Sequence, residues 1–343
     1  MERFTRLQTV LLSIMTLLAL GAVLHFTQQV VLPLVIAILL TFIFVPFVDR
    51  MRRARIPVAI GIIVVMFILL MVIMVLAGLL SSSVYALAKE YPRYQTRFTE
   101  LYSLLKERFK LDLWLFNDLS WLRTLGSYVV SLSGKLVSVI TYTLLVVLFL
   151  LFLLMEQRHL PRKMIRALRR GMTARIARVM EHIAEQISRY LLIKFFISLT
   201  TGLVVWFVYS LIGLDFAFIW GLMAFLFNFI PNIGSTVVWA ASSVFAVIQF
   251  YPSWHLPIAV SASMLVIQIT IGNVIEPKLT GESLNLSPVI VLFSLLMWGW
   301  IWGIAGMFIA VPLTVIIKII CENIPALKAV SIFMGTAPPR PKR

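Results

Sequence analysis

The side chains that could do chemistry in this sequence are few, and most gather in its last third. Asn228, Pro231, Asn232, Gly234 and Ser235 fall within one eight-residue stretch, NFIPNIGS, with apolar residues on both sides. Proline lacks a backbone N–H and glycine accepts positive φ, so the stretch can turn a chain sharply while two amides and a hydroxyl offer donors and acceptors beside the turn. Groups of this kind break no bonds; they replace the water around a polar solute in an apolar path. Further on, Gln268, Asn273 and Glu276 lead into Pro277, which ends a helix. The Glu276 carboxylate then lies in a C-terminal turn, where the helix dipole disfavours negative charge unless a cation compensates. Asp215 and Glu276 are the carboxylates placed to titrate beside an ion path and are the coupling-ion candidates. Lys194, about one turn into an apolar run, is expected to snorkel its ammonium to the headgroups.

Other chemistries find little support. No nucleophile and base stand at a suggestive spacing, so an enzyme is not expected. His25, His159, His182 and His255 are scattered and Cys321 stands alone, so neither a metal nor a disulfide is expected, and no cofactor is called for. The phosphate-cradling GxxxxGK[ST] pattern is absent, which argues against direct ATP drive.

The elements that must position these groups follow from composition. Of 343 residues, 61% are hydrophobic and 13% charged, against roughly 45 to 50% apolar in an ordinary soluble domain. The apolar residues come in runs near the length that crosses about 30 Å of hydrocarbon. They are apolar on every side, which excludes the alternating strands of a β-barrel. The fold class is an all-α integral membrane protein with about eight transmembrane elements. Six full spans are expected at residues 7–26, 30–48, 58–80, 136–155, 190–212 and 256–275, plus two interrupted or re-entrant helical hairpins. By region, residues 1–80 carry three spans, 81–135 an extracytoplasmic helical cap and 136–155 the fourth span. Residues 156–189 form a basic amphipathic cytoplasmic helix, 190–250 a span plus the first hairpin, 256–320 a span plus the second, and 321–343 a cytoplasmic tail.

The net charge of +16 is topology signal before it is a nucleic-acid signal. Arg3 and Arg6, then Arg50, Arg52, Arg53 and Arg55, then the arginines of 158–189 fall on one side when the spans are threaded alternately. That side is cytoplasmic, both termini included, and nucleic acid is not an expected partner. The basic helix instead faces anionic headgroups, each basic residue there gaining about 1 kcal/mol.

The two interrupted units give the functional expectation. The first arm of one, residues 216–230, is too short to cross and ends at the Pro231–Gly234 turn. The other runs from Ser287 and Pro288 through Gly299, Gly303 and Gly306 and past Pro312. Each follows a full span, and the two have opposite membrane sense. A span followed by an interrupted hairpin, twice and inverted, is the pattern of secondary transporters, whose solute sites form where broken helices expose backbone groups. The plainer reading of any single glycine is close helix packing. A scaffold across which nothing moves is the further alternative.

FAFIWGLMAFLFNFIPNIGS (216–235), NVIEPKLTGESLNLSP (273–288) and WGWIWGIAGMFIAVPLT (298–314) resemble the signature segments of the autoinducer-2 exporter family of bacterial membrane proteins. The resemblance implies a multi-pass transporter of the bacterial inner membrane that assembles as a homo-oligomer, a pentamer, with a mobile part carrying a small-molecule solute past a fixed scaffold. Some members export autoinducer-2, and others are associated with sodium/proton exchange. Carried over here, it points to Asn228, Pro231, Asn232, Gly234 and Ser235, and to Glu276, Pro277, Gly281, Ser287 and Pro288. Gln268 and Asn273 complete the solute-binding candidates, and Pro231, Gly234, Gly299, Gly303 and Gly306 are the hairpin-turn candidates. The aromatic WGWIW (298–302) is bulkier than a glycine-rich turn requires.

Overall fold

The computed structural model describes residues 2–109, 141–156, 170–280 and 286–335. The second half of the expected cap (110–135), the start of the expected basic helix, Gly281 and the last eight residues lie outside the described residues. The described chain is helical: α1 (Glu2–Phe26), α2 (Gln28–Arg53), α3 (Val58–Phe109), α4 (Thr141–Glu156), α5 (Arg170–Ile212), α6 (Ala217–Phe227), α7 (Ile233–Phe250) and α8 (His255–Ile267). The last passes into an eight-residue π-helix, Gln268–Ile275, and then α9 (Glu276–Thr280); α10 (Pro288–Asn323) and α11 (Lys328–Met334) follow.

Six helices among the described residues are long and apolar enough to cross a membrane: Gln28–Arg53, Val58–Leu87, Val179–Ile212, Ile233–Phe250, His255–Leu279 and Pro288–Asn323. Four coincide with expected full spans. The other two are the second arm of the first hairpin and the whole second interrupted unit. α7 begins two residues earlier than the sequence suggested, and its 18 residues make about 27 Å. α6, at 11 residues, makes only about 16 Å. Large apolar side chains such as Leu12, Phe67, Phe207 and Leu296 face outward. In lipid that is the favourable side for them, since an unbroken helix turns its apolar side chains to the hydrocarbon and keeps its backbone bonds inside.

The chain separates into two compact units, one of residues 1–66, 141–192 and 282–343, the other of residues 67–140 and 193–281. In the first, α10 packs against α1, α2 and α11. The Ser188 hydroxyl donates to the Phe42 carbonyl (2.7 Å), tying α5 to α2. In the second, α5, α6, α7 and α8 enclose a core that includes Ile197, Val205, Tyr209, Ala224, Val238, Ala246, Val260 and Met264.

α5 is the long element of the second core, and its sequence explains its length. No proline interrupts Arg170–Ile212, so the amphipathic stretch and the apolar run that looked like two elements form one helix of 43 residues. It stops at Gly213, whose φ of +82° closes a Schellman turn in which the Leu214 amide donates to the Tyr209 carbonyl at 2.9 Å. The helix that is long and apolar enough to cross therefore extends N-terminal of Tyr190, as Val179–Ile212 within α5. This leaves Lys194 well inside the helix instead of one turn from its end.

Candidate functional site

The expectation that Lys194 snorkels is overturned. Its side chain is 2% exposed, and its ammonium donates to the Glu276 carboxylate, which is 23% exposed. With α5 running unbroken from Arg170, the ammonium is out of reach of the helix end, and Lys194 supplies the cation that the Glu276 carboxylate required. Reading on along α5 at helical spacing, Ser198, Thr201 and Tyr209 are buried on the same face. Each meets an acceptor or donor: the Asn228 amide donates to Ser198 (3.0 Å), Thr201 donates back to the Ile197 carbonyl (2.9 Å), and Tyr209 shares a hydrogen bond with Ser242 of α7 (2.9 Å). A polar line thus runs inside an otherwise apolar core. Ionisable groups at membrane depth are expensive, and by default they mark solute or ion pathways.

Three elements aim partners at this line. Asn228 caps the end of α6, where the helix tightens before Pro231. At Asn232 the backbone takes φ 60°, ψ −46°, and the Ile233 amide donates to the Pro231 carbonyl at 2.6 Å. That closes a three-residue γ-turn, a rare and strained conformation that asparagine tolerates better than most residues. α7 then folds back so tightly that a Cβ at Gly234 would lie 1.7 Å from the Phe227 oxygen. Upstream, Gly202 and Gly221 let α5 and α6 touch backbone to backbone, a Cβ on either falling 2.7 Å from the other's oxygen. The third element is the π-helix. Its i→i+5 bonding is rare and concentrates at functional sites, and here it delivers Glu276 to Lys194.

The candidates divide accordingly. Asn228 and Glu276 contact neighbouring turns of α5, at Ser198 and Lys194. Ser235 is buried behind the turn with its hydroxyl toward the Asn232 carbonyl (3.4 Å), and the Asn232 side chain is exposed. Gln268 is half-buried with its amide folded over Gly272, and Asn273 faces outward. Asp215 belongs elsewhere: Lys194 lies about 27 Å along α5 from the end at Ile212, and Asp215 is beyond that end. Its carboxylate accepts from the Tyr94 hydroxyl, and its amide donates to the Gln249 side chain (2.8 Å). Arg97 donates to the Gln249 carbonyl, so the C-terminal extension of α3 is fastened to this corner. The two coupling-ion candidates therefore occupy separate places. Burial and the adjoining Asp215 carboxylate push the Tyr94 phenol well above its ordinary value.

The second interrupted unit is built differently. α10 breaks at Trp302 (φ −126°, ψ 16°) and Gly303 (φ 64°, ψ −146°). A Cβ at Gly306 would stand 2.0 Å from the Trp298 oxygen, and one at Gly299 would stand 2.7 Å from Met307. Residues eight apart on a straight helix are about 12 Å apart, so the two arms fold against one another. The Ile301 carbonyl accepts from His25 Nδ1 (2.7 Å), and the Trp302 indole donates to the Leu24 carbonyl (3.0 Å). The end of α1 thus holds this break.

Lys194, Ser198, Tyr209 and Tyr94 were not among the sequence candidates. The first three sit at offsets of 0, 4 and 15 along a helix, a polar stripe that the 3.6-residue period makes visible once α5 is read as one element.

Comparison with known proteins agrees with this architecture. A family model described as AI-2E family transporter matches residues 13–326. A putative transport protein of Borreliella burgdorferi is 31% identical over 330 residues, covering 96% of this chain and 91% of its own. The AI-2 transport protein TqsA of Escherichia coli is 31% identical over 316 residues, 91% of each chain. The putative transport protein YhhT of the same organism is 32% identical, covering 97% of this chain and 95% of its own. With a multi-pass helical architecture, two helix breaks and a match along nearly its whole length, this chain belongs to the AI-2E family of membrane transporters.

Proposed function

We propose that this transporter exports a small polar signalling molecule such as autoinducer-2, by secondary transport across the bacterial inner membrane. The observation that carries the reading is the polar line on α5, where Ser198 and Lys194 meet Asn228 and Glu276 beside a strained turn. Amide, hydroxyl and charged groups there offer an uncharged or weakly anionic solute a replacement for its water shell within an apolar bundle. The similarity to a relative named as an AI-2 transport protein supports the choice of solute. Cytoplasmic termini and a homo-oligomer, a pentamer, complete the proposal.

Cation/proton exchange is the weaker reading. It needs a carboxylate open to an ion path, whereas Glu276 is held by Lys194 and Asp215 by Tyr94. The test is flux of labelled autoinducer-2 into proteoliposomes, with and without sodium and proton gradients, for the wild type, Asn228→Leu and Asn232→Leu. Concentrative flux in the wild type and a loss of at least tenfold in Asn228→Leu are expected. No flux in the wild type would remove the signal-export reading, and equal flux in all three would remove this site.

A further inference from the structure

We propose that Lys194 is the solute-recognising cation of this transporter and that Glu276 is its internal competitor, so that the solute is a small hydroxylated anion whose oxygens take the place of the Glu276 carboxylate. The inference rests on the transport reading above and narrows it, choosing the anionic over the uncharged class.

The asymmetry of the pair carries it. Lys194 is 2% exposed on a 43-residue helix without a proline, flanked on its own face by Ser198, which is also buried. The Lys194 backbone is fixed by that helix and by the Ser198–Asn228 hydrogen bond one turn on, so the ammonium moves only by rotation of its own side chain within a packed core. Glu276 is 23% exposed and opens a five-residue helix directly after eight π-helical residues. A return of that segment from i→i+5 to i→i+4 bonding would turn Glu276 about the axis by roughly one residue's worth, about 100°. The carboxylate is thus the partner built to leave, and the charge left behind is positive.

An ammonium buried without a counter-charge is strongly unfavourable. Oxygens arriving at the ammonium therefore favour the opening of the pair, which couples the opening of the site to the presence of solute. A cation is the poorer fit, since it would have to displace the more deeply buried member of the pair. The second contact sets the size. Ser198 and the Asn228 amide that reaches it lie one turn beyond Lys194, about 6 Å along the axis. A short molecule with an oxyanion at one end and a hydroxyl at the other spans that distance.

Three matched two-carbon probes test this on the full-length protein in nanodiscs: glycolate (hydroxyl and anion), ethylene glycol (hydroxyls alone) and ethanolamine (hydroxyl and cation). Glycolate is expected to raise the thermal midpoint and the other two are not. Glu276→Gln should bind glycolate at least tenfold more tightly than the wild type, because the competitor has lost its charge. Lys194→Arg should keep the glycolate response, and Lys194→Met should lose it. The double variant Lys194→Met/Glu276→Leu, with no buried charge left, should fold and still ignore glycolate. Protection by ethanolamine in place of glycolate, or a double variant that responds as the wild type does, would overturn the proposal. So would Glu276→Gln binding glycolate no more tightly than the wild type. If Glu276→Gln does not fold, the ordering of the three probes on the wild type decides. Autoinducer-2 flux without glycolate protection would sink this inference alone, and glycolate protection without that flux would sink the signal-export reading alone.

Discussion

Two helix breaks interrupt the apolar elements of this transporter with similar abruptness and opposite chemistry. Both depend on a glycine pressed against a carbonyl oxygen, Gly234 against Phe227 and Gly306 against Trp298. At Trp302–Gly303, however, one neighbour holds the break: His25 donates to the Ile301 carbonyl, and the Leu24 carbonyl accepts the Trp302 indole. Tryptophans 298 and 302 lie together over the break with ring centroids 5.0 Å apart. At Asn228–Asn232 the bend is lined by amides, and one of them reaches a buried hydroxyl one turn from a buried ion pair. A broken helix exposes backbone polarity in either case. Where a neighbouring helix holds it, the break is closed by backbone and indole contacts; where side-chain donors and acceptors are added to it, the break has the chemistry that the proposed solute site requires.

The largest expected effects test what the breaks share. Alanine at Gly234 places a methyl group 1.7 Å from a main-chain oxygen, and at Gly306 2.0 Å. Neither oxygen can retreat without its helix, so each variant should lose about 3 kcal/mol or more in denaturant unfolding from detergent micelles. Gly78→Ala, with nothing within 4 Å, is the control and should be neutral or gain up to about 1 kcal/mol. If all three behave alike, the close-folded geometry of both breaks is wrong.

The next pair separates the breaks. Gly303 holds φ 64°, ψ −146°, a region nearly closed to other residues, and Gly303→Ala should cost about 1–3 kcal/mol. Asn232, the non-glycine centre of the γ-turn, should behave oppositely: Asn232→Gly relieves strain and leaves stability unchanged or slightly higher, while solute flux falls. A smaller contrast follows at the hydrogen bonds. Trp302→Phe removes one bond to Leu24, worth about 1 kcal/mol, and should leave the transport KM unchanged. Asn228→Leu strands the buried Ser198 hydroxyl at about 1–3 kcal/mol and should abolish flux. Transport kinetics that shift equally in both variants would erase the distinction between the closed break and the proposed solute site.

Much of this was legible in the sequence, and the parts that were not have physical reasons. The helical class, the two interruptions and the amides of NFIPNIGS follow from run length and from proline and glycine. The extent of α5 did not, because a change from amphipathic to apolar character resembles a boundary when no backbone feature separates the two halves. That misplaced start put Lys194 at a helix end and hid its partner. The partner itself lies 82 positions away, a separation across which periodicity carries no information. The exact break in α10 was masked by its aromatic residues: WGWIWG (298–303) offers two glycines, and packing against α1 selects the site of the bend. The π-helix has no sequence signature at all, since it is a hydrogen-bond register rather than a composition.

The smallest expected effect lies at a corner that neither break touches, and it sharpens the comparison by supplying a polar contact outside both. Tyr94 donates to Asp215 and packs against Phe216 and Phe245, whose rings lie 6.1 and 5.0 Å away. Phe216 itself holds a φ of 59°, strain that the surrounding contacts must maintain. Burial first, then the Asp215 carboxylate, raises the Tyr94 phenol above its ordinary value, which is about 10. The unfolded chain therefore gives up this proton at a lower pH than the folded one does. The contribution of Tyr94 to stability is fully present below about pH 10 and drains away as the pH rises beyond it, because the unfolded state is then favoured by ionisation that the folded state resists. Unfolding midpoints taken between pH 8 and pH 11 should fall at the alkaline end for the wild type and fall less for Tyr94→Phe, which has no proton to lose. Amide exchange at 213–216 should rise over the same range in the wild type. A pH slope unchanged by the substitution would mean that this corner does not depend on the Tyr94 hydroxyl, and the fastening of α3 would rest on Arg97 and the aromatic contacts alone.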